Sequence, residues 1–171
     1  MDKISRRKLL SVMIGTLGTG FLGSKAWAHS CWDCRMPSVD MPVSLGVGIV
    51  RTPEFVVKRQ SYLIMIRAMR TLPFAKMNCM MGGPFPRDCD TEPLLQAEWK
   101  VWDDAEIIAS GYSHTKGTGA SSDKYLDKYL GRFVGVAHRK YVLEVKFTTD
   151  GSALNVADPH LIVMMTKQTD V

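Results

Sequence analysis

The sequence predicts an all-β protein: a two-layer antiparallel β-sandwich, immunoglobulin-like or jelly-roll-like, with one or two short helices. Apolar residues recur with period two from about residue 45 onward, and turn residues separate the runs. Once an N-terminal leader is set aside, 143 residues are left, enough to enclose one hydrophobic core.

The leader is read from Ser5-Arg6-Arg7-Lys8-Leu9-Leu10, a paired arginine directly before an apolar stretch, as in a twin-arginine export address. Leu9 to Gly23 is diluted by Gly15, Gly18 and Gly20, too short and too weakly apolar for a stable membrane span. Lys25 and the small-residue pattern Ala26-Trp27-Ala28 predict cleavage before His29. The expected partition is a signal over 1–28, an extended arm over 29–44 carrying a C-x-x-C, and the sandwich over 45–171. The expected location is periplasmic or secreted, with the twin-arginine translocase as the partner during export.

The elements follow in order. Segments 45–50 and 54–58 are short candidate strands. Tyr62, Ile64 and Ile66 alternate with Leu63, Met65 and Arg67, which makes a strand. Residues 71–93 hold Pro73, Gly82, Gly83, Pro84, Pro86 and Pro93, so this stretch is a loop with room for one short helix over Phe74–Met81. Leu95, Ala97, Trp99 and Val101 give the clearest half-buried strand, and Asp103-Asp104 turns it into Ile107-Ile108-Ala109 as a hairpin. Ser113–Ser122 is a Gly/Ser/Thr loop, after which Ser121-Ser122-Asp123 can cap a short helix through Leu130. Segment 132–137 is another strand candidate; Tyr141, Leu143, Val145 and Phe147 face one way along the next, and Leu161–Met165 closes the domain as a buried strand.

The C-terminal half, through Gly131-Arg132-Phe133, Tyr141-x-Leu143-x-Val145, Leu154 and Pro159-x-Leu161-x-Val163, resembles a family of small exported bacterial β-sandwich domains of unknown function. The resemblance implies a fold and a compartment and carries over no catalytic residue.

Charge excludes one class of partner. The formal charge is +5, but the leader holds a net +4 from Lys3, Arg6, Arg7, Lys8 and Lys25 against Asp2, leaving the mature chain near +1. A nucleic-acid surface needs a basic face, and none remains.

Four cysteines, Cys31, Cys34, Cys79 and Cys89, allow three pairings in an oxidising compartment. The expected arrangement bridges Cys31 and Cys34 to Cys79 and Cys89, stapling the arm to the proline-rich loop at about 2–4 kcal/mol per bridge. The alternative is a soft-metal or thiol redox carrier: Cys31, Cys34, Cys79 and Met80 could hold copper(I) through thiolate and thioether donors.

No catalytic set emerges. His114, His138 and His160 lack zinc spacing, and no G-x-S-x-G elbow or Walker loop is present. The leading expectation is a non-enzymatic binding domain, an antagonist or immunity-type protein that acts on a protein partner in the cell envelope. It would present loops 71–93 and 111–123 with Phe74, Phe85, Tyr112 and Trp102 as aromatic anchors. No resident cofactor is expected on that reading. A glycan-stacking face of Trp99, Trp102 and Tyr112 is the third possibility, with Trp99 assigned to the core.

Overall fold

The two-residue alternation becomes two facing sheets in a computed structural model that describes residues 37–58, 61–83, 89, 93–113 and 120–166. In chain order the elements are β1 (Val39–Pro42), β2 (Gly48–Arg51), β3 (Phe55–Val56), β4 (Ser61–Met69), α1 (Phe74–Met80), β5 (Ala97–Asp103), β6 (Glu106–Ser113), β7 (Tyr125–Val134), β8 (Lys140–Phe147), a 3-10 segment (Ser152–Ala157) and β9 (His160–Met165). One sheet runs β1-β9-β4-β7; the other runs β2-β8-β5-β6, with β3 also paired to β8. Every pairing is antiparallel. The all-β two-sheet fold is therefore the one the alternation predicts.

The core fills the space between the sheets. Ile64 and Ile66 of β4, Leu161 and Val163 of β9, Ala97, Trp99 and Val101 of β5, and Tyr141 to Phe147 of β8 at every second position are all buried there. The Trp99 indole N–H donates to the Leu130 carbonyl of the opposite sheet at 2.9 Å, satisfying a polar atom that burial would otherwise strand. Gly111 and Gly131 leave the room the indole occupies; a Cβ at Gly111 would come within 2.6 Å of it. At the far end Phe133 lies between two tyrosines, stacked on Tyr62 with centroids 5.4 Å apart and edge-on to Tyr141 at 5.9 Å. Their hydroxyls accept loop amides: Lys58 N–H donates to Tyr62 at 2.8 Å and Val136 N–H to Tyr141 at 3.0 Å.

Three expectations need correction. The sandwich starts before residue 45, because Val39–Pro42 pairs with Ile162 and its neighbours on β9. Pro42 argues for coil in a sequence reading, but an edge strand tolerates proline where its nitrogen faces outward. The helix expected through Leu130 is instead the first part of β7, which continues to Val134 and so includes 132–134 of the strand expected at 132–137, while 135–137 lie beyond it. Ser122 does cap, but it caps a turn, since its hydroxyl accepts from the amides of Lys124 and Tyr125 at 3.2 Å. The third concerns the cysteines. Cys79 and Cys89 bond to each other across ten residues, with Cα atoms 5.5 Å apart, so neither is bridged to Cys31 or Cys34. A helix end followed by a turn at Gly82 and Gly83 takes the chain away from α1 before Cys89, which cysteine counting alone does not reveal. Cys31, Cys34, the signal residues Arg6, Arg7, Ala26 and Ala28, and Phe85 lie outside the described residues.

Candidate binding surface

Both loops singled out in the sequence leave the sandwich at the same end. Met69, the last residue of β4, pairs with Tyr125, the first of β7, while Ala97 at the start of β5 pairs with Ser113 at the end of β6. The two sheets meet beside them, where the Ser113 hydroxyl donates to the Tyr129 carbonyl at 3.4 Å. The 70–96 and 114–124 connections are thus neighbours by topology.

Arg70 ties them together. Its amide donates to the Lys124 carbonyl at 2.8 Å, and its guanidinium donates to the Ser122 carbonyl at 3.0 Å. The same guanidinium sits over the Phe74 ring, 5.0 Å from its centroid. Phe74 is the first residue of α1 and keeps 37% of its surface exposed. A flat ring backed by a cation that is hydrogen-bonded to the neighbouring loop makes a positioned, amphipathic contact point.

The base under Phe74 is firmly held. Met77 and Met81 are buried in the core at 0% exposure, which anchors α1 to the sandwich end. Gly82, at φ 80°, turns the chain out of the helix, a conformation that favours glycine. A Cβ at Gly83 would collide with the buried Asn78 amide, so the reversal after α1 requires both glycines. The Cys79–Cys89 bond then closes the loop back onto the helix. With its sulfur in that bond Cys79 offers no thiolate, so the soft-metal set of Cys31, Cys34, Cys79 and Met80 does not exist in this oxidised form. Met80 is buried at 9% exposure and packs in the core. Among the described residues no group of three or more His, Cys, Asp or Glu side chains is placed to hold a metal.

The other predicted anchors are dispersed. Tyr112, 41% exposed, stands on the outer face of β6 near the same end, and its hydroxyl meets Gln96 Oε1 at 2.7 Å. Trp102 shares that sheet's outer face but pairs with Ile107 at the opposite end, under Arg51 at 6.0 Å. Tyr112 is paired to Glu98, four residues before Trp102, which separates the rings by about 13 Å along the strand. With Trp99 in the core, Trp102 and Tyr112 form no continuous stacking platform. Exposed Phe74 and Tyr112 are therefore the described anchors at the loop end.

Two features escaped the sequence reading. Arg67 forms a two-point ion pair with Asp127 at 2.8 and 2.9 Å and covers the Tyr125 ring at 4.0 Å, fixing the start of β7 to the end of β4 just beneath Arg70. The hydrogen bond to Asp127 raises the Arg67 pKa above its ordinary value, so the guanidinium keeps its charge. Lys128 lies opposite Ile66 with no surface exposed, and burial lowers its pKa to about 8. Only the bulge at Leu130 gives away that this lysine faces inward; the alternation counted from Phe133 would place it outside.

A shallow groove of about 360 Å³ lies at the same end, lined by Pro42, Val43, Ser44, Asn155, Asp158 and Pro159. Its polar groups hold the fold: Asn155 accepts from the Leu45 amide at 2.9 Å and donates to Ser44 at 3.2 Å.

No family model matches the chain, and no curated protein matches it. Among solved structures, the crystal structure of GEBA250068378 from Sulfurospirillum deleyianum is similar, with a TM-score of 0.57 and 13% sequence identity. The match covers 79% of this chain and all of the other. At that identity the similarity bears on the fold alone.

Proposed function

We propose that this chain is an exported, non-enzymatic binding module that engages a protein partner in the cell envelope through the end of the sandwich bearing Phe74. An antagonist or immunity-type role is the specific form of this reading. The observation that carries it is the Arg70–Phe74 pair, an exposed ring under a cation that donates to the Ser122 carbonyl, from a residue whose backbone amide is held by Lys124. Preorganisation of this kind lowers the entropic cost of binding, because little side-chain freedom is lost when the partner arrives. The bridged loop supports the reading, since it fixes α1 while leaving Phe74 exposed. Oxidising conditions favour such a bridge, which agrees with the twin-arginine leader read from Arg6 and Arg7.

A photo-crosslinking residue placed at Phe74, in cells making the full precursor, tests this. One discrete adduct at position 74 that is absent when the same residue replaces Ile107, at the opposite end of the sandwich, is the expected result. No adduct at 74, or the same adduct pattern from both positions, would reject this surface.

A further inference from the structure

Along the sheets, Arg51 ends on Glu144, Arg67 on Asp127, Arg139 on Asp103, Lys140 on Glu54 and Lys146 on Glu98. The exposed cations that have no such counter-ion among the described residues are unevenly placed. Lys58 follows β3, Lys100 lies in β5 and Arg132 in β7, each by itself. Arg70, Lys76 and Lys124 instead share the end that bears Phe74: Lys76 stands two residues after Phe74 on α1, and the Lys124 carbonyl holds the Arg70 amide. All three are exposed, and Asp123 is exposed on the same turn, so three positive charges stand there against one negative.

Arg70 has the geometry to receive an anion. Its Nη1 donates to the Ser122 carbonyl at 3.0 Å, and its guanidinium covers the Phe74 ring. Its Nε and Nη2 donors meet no described acceptor. That edge of a guanidinium fits a carboxylate at two points, and Arg67 shows the fit in this same protein, with Nε and Nη2 donating to the two oxygens of Asp127 at 2.8 and 2.9 Å. Beside the open edge lie apolar surfaces, Phe74 at 37% and Met69 at 42% exposure.

We infer that the surface at Phe74 takes an acidic polypeptide segment, which seats a carboxylate on the Nε–Nη2 edge of Arg70 and an apolar side chain on Phe74. The inference rests on the binding surface proposed above and names the chemistry of its partner. Lys76 and Lys124 need not touch that carboxylate; their field draws an acidic partner in and disfavours a basic one. Nucleic acid and an anionic membrane both call for a broad basic face, whereas here three cations are set among exposed apolar side chains on a chain that is near +1 once its leader is set aside.

The probe is the photo-reactive residue at position 74 in cells making the full precursor, and the variable is charge placed away from the Arg70–Phe74 contact. Lys76→Glu together with Lys124→Glu is expected to lower the adduct yield by about tenfold or more, because like charges are then brought together across the interface. The pair Lys76→Gln and Lys124→Gln lowers it less. Lys140→Glu with Lys146→Glu changes the net charge equally on the other sheet and is expected to leave the yield unchanged. Mass spectrometry of the adduct is expected to place the cross-link in a peptide of net negative charge. Full yield from the Lys76, Lys124 reversal, an equal fall in the Lys140, Lys146 control, or a cross-link to a basic peptide, a lipid or a nucleic acid would overturn the inference while leaving Phe74 as a contact point. Absence of any adduct at position 74 in the otherwise unaltered chain would reject the surface itself, and the inference with it.

Discussion

Lys128 offers a way to measure the interior directly. Its side chain is fully buried between the sheets, and burial holds its pKa near 8 against 10.5 for a solvated lysine. Between those values the unfolded chain keeps its proton while the folded chain releases it, so the unfolded state binds more protons and stability rises with pH across that window. Below about pH 8 both states carry the charge, and the folded state bears the desolvation cost in full. A displacement of this size corresponds to roughly 3 kcal/mol at most, and relaxation around the ammonium brings the expected effect to about 1–3 kcal/mol.

The perturbation is Lys128→Met, which retains the length of the side chain and cannot titrate. Urea denaturation of both proteins from pH 7 to pH 10.5 gives the difference in slope, in which the titrations of every other group cancel. The wild type is expected to gain about 1–3 kcal/mol relative to the variant over that range. Parallel curves for the two proteins would refute the reasoning, because they would mean that Lys128 has the same proton affinity folded and unfolded. A wild type that loses stability relative to the variant as pH rises would refute it more strongly, since that sign belongs to a lysine held charged by a partner.

Three further outcomes follow from geometry on the page. Replacing Cys79 and Cys89 together by serine opens a loop of ten residues' separation and is expected to cost about 2–3 kcal/mol by loop-closure entropy, read from urea midpoints without reductant. Gly131→Ala drives a methyl into the Trp99 indole and is expected to lower stability by about 1–3 kcal/mol, with Trp99→Phe in the same chain recovering part of the loss. Arg67→Ala strands the nearly buried carboxylate of Asp127 and is expected to cost about 3–5 kcal/mol, whereas adding Asp127→Ala to it costs less than the two single effects summed.

Legibility tracked how directly each feature depended on local pattern. β5 and β8 alternate cleanly because one face of each meets the core, so period two in the sequence is the same fact as burial in the structure. β7 defeats the pattern because a register shift against β4 turns the consecutive residues Leu130 and Gly131 both toward the core, and because a lysine in the core looks like a surface residue to any polarity pattern. β1 was misread because its pairing depends on β9, over a hundred residues away. The disulfide failed for the same reason in miniature: four cysteines state that bridges are possible, but the turn at Gly82-Gly83 decides which pair meets.

The candidate site shows the limit more sharply. Phe74 and the two loops were visible as an aromatic among breakers and a Gly/Ser/Thr stretch. Their convergence was not, because it requires knowing that β4 pairs with β7 in one sheet while β5 pairs with β6 in the other. Arg70 had no motif to announce it. Its role arises only after folding, when the end of β4 and the approach to β7 bring Lys124 within reach of its backbone amide and Ser122 within reach of its side chain. The same strand order sets Trp102, paired with Ile107, at the opposite end of its sheet, so a variant there leaves the Arg70–Phe74 contact in place.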